Sequence, residues 1–135
     1  MSFSSLLVDV SKFRATDPDL FNATDYNDAA IQALGYDNGK ERLKLDCYDL
    51  FKLTNLTDPD SELDSYVTKY ETQFKKALML IQLHEFYKSR AGEMGELNNE
   101  RSKMYLKEYL DFFATFKNFY TNTNNVSKME VYTIG

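Results

Sequence analysis

From Leu63 to His84 the positions Leu63, Val67, Tyr70, Phe74, Ala77, Ile81 and His84 advance by alternating steps of four and three. That rhythm keeps side chains on one stripe of an α-helix and does not fit the two-residue period of a strand. Just upstream, Thr57-Asp58-Pro59-Asp60-Ser61-Glu62 supplies a cap, a proline at the first helical position and acids against the positive end of the helix dipole. The pattern predicts a helix over residues 60–90, about 45 Å long at 1.5 Å per residue. Gly92 and Gly95 then break it. From about Asn98 to residue 121 a second helix carries Tyr105, Tyr109, Phe112, Phe116 and Phe119 on one stripe, widened by Phe113 and Tyr120. Two long helices joined by a loop of about six residues fold back on each other. The expected fold class is therefore all-α, a small helical bundle with a long antiparallel helix pair.

The flanking segments are read in the same way. Phe3, Leu6, Leu7, Val10 and Phe13 predict an amphipathic helix over residues 3–14, ended by Asp17-Pro18. Thr24 or Asp25 offers the cap of a short second helix through Leu34, with Gly35 placed for a left-handed end. After the turn-rich Asp37-Asn38-Gly39, the residues Leu43, Cys47, Leu50 and Phe51 mark a third helix of about four turns. Thr-Asp-Pro-Asp occurs at Thr16 and at Thr57, which reads as one capping solution used twice, since the downstream residues do not repeat. The end of the chain differs. Thr121 to Asn125 is polar, and Met129, Val131 and Thr133 alternate with Glu130, Tyr132 and Ile134 in the manner of a strand. Two parts are expected: a helical bundle over 1–122 and an extended C-terminal docking arm over 123–135, with Val126, Met129, Val131, Tyr132 and Ile134 as its partner-binding residues. A lone strand finds main-chain partners by adding to another chain's sheet.

Composition narrows the classes of function. The longest apolar run, Ala77 to Ile81, has five residues, where a membrane span needs about twenty, so no membrane partner is expected. Asp9, Lys12 and Arg14 interrupt the first apolar stretch, which argues against a cleavable signal and for a protein that stays inside the cell that makes it. The single cysteine excludes an internal disulfide, and one thiol with one histidine makes no zinc framework. A net charge of −5 disfavours nucleic acid as the main partner. That charge is unevenly placed: residues 1–65 hold 13 acids against 6 bases, and residues 66–135 hold 8 acids against 10 bases.

Side chains that could carry chemistry each have a simpler role. His84 lies on the apolar stripe of the long helix and reads as a packed or interface histidine. Cys47 lies between Leu43 and Leu50 and reads as a small core residue. Asp58, Asp60, Glu62 and Asp64 look superficially like a calcium loop, but its sixth position is Leu63 and its twelfth is Lys69, so a helix cap explains them better. The aromatic stripe of the last long helix could stack bases, yet Lys103, Lys107 and Lys117 are too few and too balanced by acids to guide a phosphate backbone. Glu93-x-x-Glu96 and Glu108-x-x-Asp111 together resemble the paired acidic motifs of the all-α nucleotide pyrophosphohydrolases, a resemblance that implies magnesium between facing helices. Here Glu93 and Glu96 fall in the glycine-broken loop, and on one rod Glu96 and Glu108 would stand about 18 Å apart. No catalytic residue, metal or cofactor is expected, and the chain reads as no enzyme.

The layout that remains is a short N-terminal helix group, a capped long helix, a glycine break, an aromatic long helix and a tail. Over residues 58–122 plus the tail it resembles the helical head-to-tail connector proteins of tailed bacteriophages, the adaptor or neck subunits that form a ring under the portal. The N-terminal 55 residues have no counterpart in that layout. The resemblance implies a homo-oligomeric ring, neighbouring portal or tail proteins as partners, and a place in the virion neck after synthesis in the host cytoplasm. Two-ended charge suits a head-to-tail contact that closes into a ring. It would equally serve another helical partner-binding or scaffold protein in the cytoplasm.

Overall fold

The computed structural model describes residues 2–18, 27–90 and 96–134, with the backbone alone at 96 and 123–134. Among the described residues a 3-10 turn, Phe3–Ser5, precedes six α-helices: α1 Val10–Thr16, α2 Asp28–Ala33, α3 Tyr36–Phe51, α4 Pro59–Lys69, α5 Glu71–Ser89 and α6 Glu96–Ile134. No strand occurs among them. The chain is an all-α helical protein.

Its axis is α5. The stripe that announced this helix is only part of its buried surface, because every residue from Ala77 to His84 is buried, together with Phe86 and Tyr87. A helix apolar on nearly all sides belongs inside a bundle, and α5 accordingly lies between α3 and α6. Contacts between α5 and α6 fix their sense. Tyr87 stacks on Tyr105 with ring centroids 5.7 Å apart, His84 meets Ser102, and Phe74 meets Phe116 at 6.5 Å. As the numbers fall along α5 they rise along α6, so the pair is antiparallel.

Several boundaries depart from the sequence reading. The predicted helix 60–90 is divided at Tyr70, whose φ of −121° and ψ of 40° lie outside the helical region. Neither proline nor glycine stands there, and the hydrogen bonds Tyr70 N–H to Tyr66 O and Phe74 N–H to Tyr70 O bridge the bend. The bend seats the Tyr70 ring edge-on to Phe116 at 5.2 Å, and Tyr66 stacks on Phe51 at 3.9 Å. The expected helix 3–14 is a 3-10 turn, an extended stretch and α1; this buries Phe3, Leu6 and Val8 as well as Phe13, which one straight helix face would not do. Asp37-Asn38-Gly39 forms the first turn of α3 instead of a loop.

Capping chemistry accounts for the ends. Asp58 accepts from the Ser61 N–H at 3.2 Å, with Pro59 at the first helical position, as the sequence predicts. The cap of α2 is Asn27, which accepts from the Ala30 N–H at 2.8 Å; Thr24 and Asp25 lie outside the described residues. Gly35 is left-handed, with φ 63°, as expected, and its Cα faces the main chain of α5. Cys47 is buried, and burial pushes its thiol well above the ordinary value, in keeping with a core role.

Of the aromatic stripe on α6, Tyr105, Tyr109 and Phe116 are buried, Phe112 and Phe113 are partly buried, and Phe119 is exposed. Phe116→Ala should cost about 3 kcal/mol and Phe112→Ala about 1 kcal/mol, measured by urea unfolding, because only the first removes a fully packed ring. Equal losses for the two would show that the stripe is buried more evenly than this.

Candidate functional site

The expected extended arm is corrected. The backbone of α6 stays helical through Ile134, so Lys128 to Ile134 is not a strand. No proline or glycine occurs between Glu96 and Ile134 to stop a helix once started, and elongation is far easier than nucleation. The side chains of Val126, Met129, Val131, Tyr132 and Ile134 lie outside the described residues. Their helical register alone alters the expected presentation: residues two apart, such as Met129 and Val131, stand roughly 200° apart around the axis and share no face.

The last described side chains of α6 stand beside an aromatic cluster. Tyr120 lies edge-on to Phe51 at 4.9 Å and to Tyr66 at 5.9 Å, and the Tyr66 and Tyr120 hydroxyls are 3.3 Å apart. The bond to Tyr120, reinforced by burial, raises the Tyr66 phenol to about 12. Beyond Tyr120, α6 continues for fourteen residues to Ile134, about 21 Å at 1.5 Å per residue. Alongside this cluster Gln73, Phe112, Thr115, Phe116 and Phe119 line an open groove.

At the opposite end of the α5–α6 pair is a polar cluster that the sequence reading did not find. Asp17, buried at the end of α1, accepts from the Tyr87 hydroxyl at 2.5 Å and the Tyr105 hydroxyl at 2.9 Å. Arg101 donates to the Tyr87 oxygen at 3.0 Å and lies 3.6 Å from the Asp17 carboxylate. Burial first, and then the Asp17 carboxylate, push both tyrosines well above their ordinary range. The two Thr-Asp-Pro-Asp copies thus differ in use: Asp58 caps α4, while the Asp17 carboxylate ties α1 to α5 and α6. The i, i+4 pair Arg101 and Tyr105 was the available signal, but nothing in the linear pattern brings Asp17 to it.

His84 is buried, as a packed histidine should be. Its Nδ1 is 2.8 Å from the Ser102 carbonyl and 3.0 Å from Ser102 Oγ. A carbonyl only accepts, so Nδ1 carries the proton and offers no base to the Ser102 hydroxyl. That hydroxyl is placed to donate to the His84 carbonyl, at 3.4 Å. Nε2 lies 3.9 Å from Glu85 Oε1, too long for a hydrogen bond. The pair is a cross-link between helices, without the geometry of an activated nucleophile.

The acidic pattern does not converge among the described residues. Glu93 lies outside them, Glu96 opens α6, and Glu108 and Asp111 are exposed further along the same helix. Twelve residues separate Glu96 from Glu108, about 18 Å of rise. No group of three His, Cys, Asp or Glu able to hold a metal ion occurs among the described residues, and no described helix is long and apolar enough to cross a membrane. Comparisons with protein-family models, curated proteins and solved structures find no match to this chain.

Proposed function

We propose that this chain is a non-catalytic docking protein that binds partners through the C-terminal part of α6, and specifically a head-to-tail connector subunit, part of a neck or adaptor ring linking portal to tail components in a tailed phage virion. The observation that carries the docking role is the continuation of α6 for fourteen residues beyond Tyr120. A helical segment of that length can lie in a groove of another protein through positions spaced by three and four. In this reading Val126, Met129 and Tyr132, spaced by three, supply the apolar contacts of the docked face, Val131 and Ile134 fall on the opposite side of the axis, and helix-in-groove docking takes the place of strand addition. The finer assignment to a virion neck rests on the paired-helix layout and the two-ended charge. A ring offsets the weakness of each such contact by repeating it.

The test compares the full chain with residues 1–122 by light scattering and circular dichroism. The full chain is expected to form a closed multimer, visible as rings by negative-stain microscopy. The shorter chain is expected to be monomeric, with an unchanged melting temperature. A full chain that stays monomeric would remove the ring reading, and a shorter chain that unfolds would place residues 123–135 in the core and remove the docking role as well.

A further inference from the structure

On the face formed by α1 and the first half of α5 lies a cleft of about 370 Å³, lined from the first segment by Val8, Lys12 and Thr16 and from α5 by Lys75, Lys76 and Met79. It is remote in sequence from the α6 segment and independent of the docking proposal. The lining separates into two kinds of surface. Val8 and Met79 are buried side chains that present an apolar floor, extended by Ala15. The Thr16 hydroxyl is turned onto Met79 Sδ at 3.4 Å, so it competes little for a ligand above the floor. Around this floor stand Lys12, Lys75 and Lys76 against Asp9 and the Glu71 carboxylate that pairs with Lys75, a local balance of +1 in a chain of net −5.

Lys75 is held by Glu71 at 3.1 Å. Among the described residues, neither Lys12 nor Lys76 has an ion-pair partner. A concave, low-dielectric wall below two such cations concentrates positive potential where the surrounding protein is negative. The two halves together, apolar below and cationic above, match a ligand with one anionic head and a short apolar body. At about 370 Å³ the cleft is of a size to take a short alkyl chain with its head group.

We infer that this cleft binds a small amphipathic carboxylate, with the head group between Lys12 and Lys76 and the alkyl chain over Val8, Ala15 and Met79. Sodium decanoate is the probe, added to the full chain carrying 13C-methyl methionine, below its micelle concentration. The Met79 methyl should shift in a saturable way with a sub-millimolar Kd, while the Met104 methyl, on the exposed side of α6, stays in place. Decanol, which keeps the chain without the charge, and acetate, which keeps the charge without the chain, should each bind at least about tenfold more weakly. Lys12→Glu/Lys76→Glu should weaken decanoate by about tenfold or more; both lysines are exposed, and Lys12→Gln/Lys76→Gln serves if charge reversal disturbs folding. Absence of a saturable Met79 shift, equal binding of decanol and decanoate, or unchanged affinity in a folded double variant would each overturn the inference.

Discussion

Asp17→Ala is expected to destabilise the protein by about 3–5 kcal/mol, the scale seen when one member of a buried charged network is removed. The Asp17 carboxylate accepts from two tyrosine hydroxyls and lies beside the Arg101 guanidinium, so its loss deprives both phenols of their acceptor in a setting where water does not replace it. Urea unfolding measures the loss. The triple variant Asp17→Ala/Tyr87→Phe/Tyr105→Phe should recover part of it, since the hydroxyls left without an acceptor are then gone too. An absorbance titration gives a second readout. The two tyrosines have raised folded-state values, so their contribution to stability is complete below the ordinary tyrosine value of 10.0 and is lost as the pH rises above it. Removing Asp17 takes away one cause of that elevation, and both phenols should then ionise at lower pH. A loss under about 1 kcal/mol with an unchanged titration would show that Asp17 is solvated.

Gly35→Val is expected to be comparably severe, about 3–5 kcal/mol, by a different route. The residue sits at φ 63°, a region that β-branched side chains essentially avoid. A Cβ built there would stand 2.4 Å from the Gln82 carbonyl oxygen, which belongs to the backbone of α5 and cannot swing aside. The same junction is tied by Gln82 Nε2, which donates to the Gln32 and Leu34 carbonyls at 3.1 Å each. Displacing α3 to relieve the clash therefore strains those bonds too. Gly39→Ala is the control: its Cβ would meet Gln82 and Ile81 at 3.3 Å in ordinary helical backbone, and a much smaller loss is expected. Similar losses for the two variants would mean that the left-handed conformation is not what makes Gly35 necessary.

The helices that could be read in the sequence were those whose signals are local. Asp58 and Pro59 specify the start of α4, Gly35 specifies a left-handed joint, and the aromatic stripe of α6 specifies a helix whatever it packs against. What escaped notice depends on distant partners. Asp37-Asn38-Gly39 has turn chemistry, yet it is helical because Gly39 allows α3 to lie close against Gln82 and Ile81 of α5. The bend at Tyr70 has no local breaker and coincides with rings contributed by α6. The alternation after Lys128 described a strand equally well, but nothing between Glu96 and that point interrupts the helix. The lysines of the cleft come from α1 and α5, about sixty positions apart, and no spacing rule joins them.

The tie between His84 and Ser102 has a consequence for uniqueness. Two helices that meet through Tyr and Phe rings could slide past each other by one turn, about 5.4 Å, and still bury comparable area. Such a slip would take Ser102 away from His84 and move Tyr105 off Asp17, stranding polar groups in the dry interior at two separate points. Apolar rings make the two helices adhere, whereas the imidazole and the carboxylate make every translated alternative expensive. The buried polar residues thus act as a ratchet stop that selects one alignment from several of similar stickiness.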